Sequence, residues 1–208
     1  MSENENFIIQ RIPLDAPGLC AHALVISGAQ AFRIGHVCQK DMHAHVKDPV
    51  WGTEPSEITK MAQMILLDSH ICVKEDWTFT EFTELFDRGR VVVTLDVTDT
   101  LSRFDKVLQK EVGKDKIDGH YVILKGIHNE MALISDPSAD EIVHEDNTSG
   151  EGLGVITTKD ENIYYLPLHS LDKMWWDTYK NGKKNNHWAI VMLHPDDDPM
   201  ILDKYRVK

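Results

Sequence analysis

Cysteine is scarce in this chain, whose 208 residues include only three cysteines. The three thiols, Cys20, Cys38 and Cys72, do not make a disulfide framework, so a reducing compartment is the simpler interpretation. No apolar stretch approaches the roughly 18 residues of a membrane span, and the acidic start of the chain has no apolar core of signal-peptide length. We therefore expect a soluble, cytoplasmic protein that does not bind a membrane.

Basic residues are in the minority. The 22 Lys and Arg residues against 34 Asp and Glu residues give a formal net charge of −12 at pH 7. This balance argues against binding to nucleic acid or to anionic membranes, because both depend on Lys and Arg. The sequence also lacks a phosphate-binding loop, a dinucleotide fingerprint and a serine nucleophile elbow. We predict neither a nucleic-acid partner nor a cofactor.

The apolar residues, 42% of the chain, are enough for one globular core. Their spacing predicts helices that begin at Cys20, near Thr53 and at Thr78, followed by a buried strand at 91–97. Later segments predict four more strands and one helix. The strands are expected at 121–127, 131–135, 163–166 and 187–193, and the helix at 170–179. Helices followed by a mostly antiparallel sheet are typical of the α+β class.

We predict that residues 1–208 form a single domain. Its helical part covers about 7–98, its sheet part covers about 118–193, and an acidic tail occupies 194–208. The segment 137–158 is rich in Gly, Asp and Ser and is expected to be a long loop. Such a loop is either a lid over a cleft or a simple connection.

Three residues in the order Cys, His, Asp supply the parts of a nucleophilic site. Cys20 opens a predicted helix, where the helix dipole and exposed amides would lower the pKa of a thiol. His120 opens a predicted strand, where its imidazole can act as a base. Asp136 closes the next strand and can orient His120 if the two strands pair. The simpler alternatives are a buried structural cysteine and an ordinary turn aspartate.

A second group of residues offers a different chemistry. Four side chains in the segment 34–52 could ligate zinc through nitrogen and sulfur, namely His36, Cys38, His43 and His45. Their spacing matches no regular zinc motif, so solvated loop histidines are the favoured interpretation and no metal site is assigned. Trp175 and Trp176 could form a substrate wall, but the expected arrangement places one in the core and one on the surface.

In context, these segments resemble the papain-like cysteine peptidases, in particular the double-glycine leader peptidases of bacteriocin exporters and their stand-alone relatives (family thirty-nine-like peptidases). Gly119–Gly126, a turn and Ala132–Pro137 resemble the family's His–Asp hairpin. Trp51–Ile58 resembles its Gly-Thr-x-Pro helix start, and Phe82–Val93 resembles its helix, glycine turn and central strand. Segments near the C-terminus also fit, so the resemblance covers most of residues 7–193.

The resemblance implies a papain-like fold in which Cys20 is the nucleophile, His120 is the base and Asp136 orients the base. The family also uses a glutamine before the cysteine to bind the oxyanion, and Gln10 is the only candidate here. Gln10 lies ten residues before Cys20, further than usual, and the family's Cys-Gly-Pro-Ala is replaced by Cys-Ala-His-Ala. In this segment His22 either perturbs the site or faces away from it.

Three functions are compatible with these observations. The first is a cysteine-dependent hydrolase that cleaves a peptide or isopeptide, or transfers an acyl group, with a peptide or protein substrate. The second is a catalytically inactive papain-like protein that binds a peptide or protein partner through the same cleft; the altered residues after Cys20 and the acidity of the chain motivate it. The third is a zinc-binding module at residues 36–45. The sequence leaves the oligomeric state undetermined.

The zinc-binding alternative predicts that the purified protein carries stoichiometric zinc and loses structure when a chelator removes it, because the metal would hold the fold. Metal analysis by mass spectrometry and circular dichroism, each before and after EDTA treatment, measure this. A metal-free protein whose thermal unfolding is the same with and without added zinc would contradict the alternative.

Overall fold

The computed structural model describes residues 9, 20–34, 53–66, 69–98, 119–137, 156–157, 163–178 and 184–206. The helices in these ranges are α1 (Cys20–Ala31), α2 (Pro55–Ile65), α3 (Phe79–Arg88), α4 (Leu168–Met174) and α5 (Met200–Asp203). The strands are β1 (His70–Lys74), β2 (Val91–Thr98), β3 (Gly119–His128), β4 (Met131–Ser135), β5 (Ile156–Thr157), β6 (Ile163–Pro167), β7 (Trp176–Thr178), β8 (Lys184–Asn186) and β9 (Ala189–Leu193).

Two of the helices begin at capping groups that are visible in the sequence. At the start of α3, the Thr78 hydroxyl accepts the Glu81 N–H (3.2 Å) while the Glu81 carboxylate accepts the Thr78 N–H (2.8 Å). Helix α2 begins with Pro55, whose missing N–H costs nothing at that position. Its N-cap is Glu54, one residue after the predicted Thr53. Both predicted starts are therefore confirmed to within one residue.

Seven strands form one antiparallel sheet in the order β1-β9-β2-β3-β4-β6-β5, and β7 pairs with β8 in a separate two-stranded sheet. The predicted α+β class and antiparallel sheet are confirmed. The predicted division at about residue 98 is followed only in part, because β1 and β2 belong to the sheet and β9 lies between them. Strand β1 was not predicted. Its short His-Ile-Cys-Val-Lys segment pairs with β9, which lies more than a hundred residues later in the chain.

Apolar side chains pack on both faces of the sheet. On one face, a cluster joins α1 and α2 to the strands, and on the other face a second cluster includes residues of α3, α4 and α5. Strand β2 shows the alternation that this requires, since Val92 belongs to the first cluster whereas Val93 belongs to the second. A strand covered on both faces has no polar side, which explains the continuous β-branched run at its start.

Helix α1 is buried on all sides. Each of its residues except Gln30 is buried, as the sequence predicted for a helix rich in small residues. At Gly28 the helix lies close to its neighbours, since a Cβ atom there would be at van der Waals distance from Met192 of β9 (3.7 Å) and from Leu66 (3.8 Å). Close packing of this kind holds the start of α1, and hence Cys20, in a defined position against the sheet.

The hairpin of β3 and β4 is confirmed. His128 lies opposite Met131, and the two residues between them, Asn129 and Glu130, have φ angles of 49° and 61°. Positive φ at both central positions is the geometry of a tight hairpin turn that matches strand twist. The register carries Ser135 to a position opposite Ile123, so the residue that follows β4 lies near the start of β3.

The segment expected to be an acidic tail is part of the packed structure. Ile201, Leu202 and Tyr205 are buried in the cluster around α3. Upstream of them, the Asp197 carboxylate accepts the Arg90 backbone N–H (2.6 Å) and two guanidinium N–H groups (2.6 and 3.1 Å). These bonds attach the segment around Asp197 to Arg90, the residue before β2. This C-terminal segment is therefore ordered, although its acidic composition suggested a tail.

We expect Asp197→Ala to lower the free energy of unfolding by about 2 kcal/mol, because three hydrogen bonds to a half-buried carboxylate are lost, two of them from a charged group. Asp203→Ala is the matched control, since its contact with Arg206 is 3.4 Å long and exposed, and it should cost about 0.5 kcal/mol or less. Urea unfolding measures both values. Equal effects of the two substitutions would show that the Arg90 contact does not hold this segment.

Candidate active site

Cys20 is the first residue of α1 and lies at the edge of the cluster that α1 forms with the sheet. Its side chain is buried among this cluster, with 8% of the residue exposed. The first amides of a helix have no partner within the helix and carry partial positive charge. The thiol therefore occupies the position that the sequence predicted, at the end of a helix where negative charge is favoured.

His120 and Asp136 are brought together by the β3–β4 hairpin. The Nε2 atom of His120 lies 2.8 Å from Oδ1 of Asp136. The Asp136 carboxylate is fully buried and the imidazole is 12% exposed. Burying a charged carboxylate away from water costs free energy unless the carboxylate is paired. The contact with His120 provides this pairing. The predicted proximity of Asp136 and His120 is confirmed.

The same imidazole also contacts the thiol. A hydrogen bond joins the His120 side chain to Cys20, and because Nε2 faces Asp136, Nδ1 is the ring nitrogen available for it. The structure thus brings together all three residues that the sequence singled out. His120 is the central member, since it contacts both Cys20 and Asp136.

The electrostatics favour a charged thiol and a charged imidazole. Burial raises the pKa of the Cys20 thiol, but the hydrogen bond and charge of His120 lower it, and the net pKa lies below its ordinary value. Burial lowers the pKa of His120, but the charge and hydrogen bond of Asp136, with a smaller contribution from Cys20, raise it well above its usual range. The two directions agree and favour a thiolate–imidazolium pair.

Two backbone amides complete the surroundings of the sulfur. The N–H groups of Tyr121 and Ala21 donate hydrogen bonds to Cys20 and contribute to its lowered pKa. Cys72, in the middle of β1, is the internal contrast. Burial is the largest influence on its thiol and raises the pKa above the ordinary value. The lowering of the Cys20 pKa is therefore due to its partners, because burial alone raises the pKa of a thiol.

Several predicted residues fall outside the described ranges. These are Gln10, His36, Cys38, His43 and His45, and also most of the segment 137–158. Within the described residues there is no group of three or more His, Cys, Asp or Glu side chains that could hold a metal ion, and no described helix has the length and apolar character of a membrane span.

Three further side chains bear on the sequence predictions. His22 is fully buried within α1. Trp175 is fully buried in the core, as expected for one member of the tryptophan pair, and the side chain of Trp176 lies outside the described part of the chain. Sequence reasoning missed the contribution of Tyr121. Every residue except proline has a backbone amide that can donate, so the residue type gives no signal. The only signal in the sequence was that Tyr121 directly follows His120.

Solved structures with the same fold are peptidase domains. One is the peptidase domain of Streptococcus ComA, a bi-functional ABC transporter involved in a quorum sensing pathway; it is 13% identical, with a TM-score of 0.55 over 89% of this chain and 98% of that domain. Another, from Bacillus anthracis, is described as a C39-like peptidase and is 14% identical, with a TM-score of 0.55 over 92% of this chain and 96% of the other. The chain has the C39 peptidase fold.

Comparison by sequence adds nothing to this result, since no family model and no curated protein matches the chain. At 13% and 14% identity, the structural match shows a shared fold. It agrees with the resemblance noted in the His–Asp hairpin and the helix starts. The chemistry of the site has to be argued from its own residues.

We expect Asp136→Asn to move the reactivity of Cys20 to higher pH. Without the carboxylate charge the pKa of His120 falls, the thiolate loses its cationic partner, and the pH of half-maximal alkylation should rise by about one unit or more. Rates of iodoacetamide labelling between about pH 4 and 9, assigned by peptide mass mapping, measure this.

The matched control is Asp172→Asn. Asp172 also contacts a histidine, with 3.2 Å between its Oδ1 and Nε2 of His187, but that pair is exposed and does not involve Cys20. Its removal should leave the labelling profile of Cys20 unchanged. Equal profiles for Asp136→Asn and the unmodified protein would show that Asp136 does not tune the His120–Cys20 pair.

Proposed function

We propose that this protein is a cysteine-dependent hydrolase that cleaves a peptide or isopeptide bond, or transfers the acyl group to an amine. The observation that carries this proposal is the position of His120, which contacts the Cys20 thiol on one side and the Asp136 carboxylate at 2.8 Å on the other. Nucleophile, base and orienting residue are the components that covalent acyl transfer requires. The roles assigned are nucleophile for Cys20, general acid and base for His120, and orienting group for Asp136.

The first half of the reaction follows from the resting charges. The Cys20 thiolate attacks the substrate carbonyl carbon, and the electron pair of the C=O bond moves to oxygen to give a tetrahedral oxyanion. The His120 imidazolium then donates its proton to the departing nitrogen as the C–N bond breaks. The products of this step are a free amine and a thioester between the acyl group and Cys20.

The second half restores the enzyme. His120, now neutral, removes a proton from water, or from an incoming amine, while the nucleophile adds to the thioester carbonyl. Collapse of this second tetrahedral species expels the Cys20 thiolate and releases a carboxylic acid or a new amide. Asp136 keeps the imidazole in the orientation that both proton transfers need and stabilises its charged form.

Within the described residues, one backbone amide is proposed as a donor to the oxyanion. The backbone N–H of Cys20 stands at the start of α1, where amides lack intrahelical partners. Gln10 is proposed as the second donor. Its neighbour Ile9 is buried, with 5% exposed, and belongs to the same apolar cluster as Cys20.

Two considerations support a peptide substrate in a reducing compartment. The two compared structures that share the fold are peptidases, and a thioester mechanism suits amide carbonyls. A thiolate that must stay reduced for catalysis also functions best in a reducing compartment, which is consistent with a cytoplasmic location.

A catalytically inactive peptide-binding protein is the second candidate. The observation that favours it is the replacement of Gly and Pro after the nucleophile by Ala21 and the fully buried His22. A changed first turn of α1 could displace the Cys20 amide from the position that an oxyanion needs. In that case the protein would bind peptides in the cleft without cleaving them.

We expect Cys20→Ala to abolish hydrolysis of a library of fluorogenic peptide amides, with a loss of about a thousandfold or more, because the covalent step has no other nucleophile. Cys72→Ala, which removes the other described cysteine, should retain activity. Activity that survives Cys20→Ala would refute the proposed hydrolase. An unmodified protein that binds library peptides at micromolar concentration but never cleaves them would establish the second candidate instead.

A further inference from the structure

The backbone of Tyr121 is oriented toward the nucleophile by the strand register. Tyr121 lies opposite Asp96 of β2, and Asp96 donates its N–H to the carbonyl of Trp188 on the β9 side (3.3 Å). In an antiparallel ladder the amide and carbonyl of one residue point to the same side, so the Asp96–Tyr121 pair is not hydrogen-bonded. The Tyr121 amide must therefore point away from β2, toward the β4 side of β3.

Strand β4 ends before it reaches the level of Tyr121. The last β4 residue in the ladder is Ser135, which lies opposite Ile123. Tyr121 is the next residue of β3 whose amide faces that side, and it donates to the Cys20 sulfur. Tyr121 thus lies beyond the end of β4, with its main-chain donor at the nucleophile.

The side chain of Tyr121 attaches the same residue to two other elements. Its hydroxyl donates to the carbonyl of Thr53, at the start of α2, with a distance of 2.9 Å. Its ring meets the ring of Trp188 edge-on, with 6.1 Å between centroids and an angle of 65°. Only 4% of Tyr121 is exposed. Tyr121 therefore contacts Cys20 at the start of α1, the segment just before α2 and the residue just before β9.

We propose that Tyr121 is a positioning residue of this site, whose phenol holds β3 so that its own amide stays within hydrogen-bonding distance of the Cys20 sulfur. The inference rests on the proposed function, because a positioned thiolate matters only if Cys20 is the nucleophile. The amide stabilises negative charge on sulfur both before attack and when the thioester expels the thiolate. Hydrogen bonds to a charged acceptor are the stronger ones and depend on geometry.

The charged surroundings of the sulfur do not substitute for this amide. His120 faces Cys20 from β3, and Asp136 acts on it through His120. His22 lies in the first turn of α1, and Asp96 lies on β2 opposite Tyr121. Replacing Tyr121 by Phe alters none of these side chains and removes one hydroxyl group, so a change in Cys20 reactivity would report on the phenol.

The test compares Tyr121→Phe with Tyr205→Phe. Tyr205 is also buried and also donates its hydroxyl, to Glu84 at 3.0 Å, but it belongs to the cluster on the opposite face of the sheet. We expect Tyr121→Phe to raise the pH of half-maximal Cys20 alkylation by about half a unit, a roughly threefold lower rate at acidic pH. Tyr205→Phe should leave the profile unchanged at a similar loss of melting temperature. Identical Cys20 profiles for the two variants would overturn the inference.

A second measurement does not depend on the folding of either variant. In unmodified protein labelled with 15N-tyrosine, the amide resonance of Tyr121 should shift with pH at the midpoint found for Cys20 alkylation, and Cys20→Ala should abolish the shift. An amide that does not titrate with the thiol would overturn the inference.

The labelling profiles also distinguish a failure of the proposed function from a failure of the proposed role of Tyr121. If Cys20 of the unmodified protein labels no faster than Cys72 and with an ordinary thiol profile, the proposed function fails, and the role of Tyr121 fails with it. If Cys20 shows the acid-shifted profile of a thiolate and Tyr121→Phe retains it, the proposed function stands and only the role of Tyr121 is rejected.

Discussion

The contact between the start of α1 and the start of β3 is the interaction on which the site depends. It places an imidazole and a main-chain amide within hydrogen-bonding distance of the Cys20 thiol. This contact is made by a helix that is buried on almost every side, so the position of Cys20 is set by packing over the whole length of α1. Because packed interiors deform little, the core determines the position of the nucleophile, and a loop does not.

Burial and pairing oppose each other at this site. Removal of water disfavours the charged forms of both Cys20 and His120. The partners of each residue outweigh this effect, so the pKa of Cys20 is lowered and the pKa of His120 is raised, and both shifts favour the charged form. The fully buried Asp136 is essential to this balance, since its charge is the main influence that raises the pKa of His120. Cys72 shows the other outcome, in which burial dominates and the thiol stays neutral.

The fold is shared with peptidase domains at 13% and 14% identity, which shows what kind of information the sequence retains. The β-branched run of β2, the capping box at Thr78 and the tight turn at Asn129 and Glu130 act through local backbone preferences and burial. Many different side chains satisfy these demands equally well. This chain and either peptidase can therefore share a fold while few positions keep the same residue.

Local chemistry made much of this protein predictable from its sequence. The starts of α1, α2 and α3, the β3–β4 hairpin and the proximity of His120 to Asp136 all depend on residues close together in the chain. Strand β1, the ordered segment around Asp197 and the amide of Tyr121 were not predicted. Each of these depends on a partner far away in sequence or on a backbone group that every residue carries. Periodicity and capping do not encode such pairings; they are decided when β9 inserts between β1 and β2 and α1 packs on the sheet.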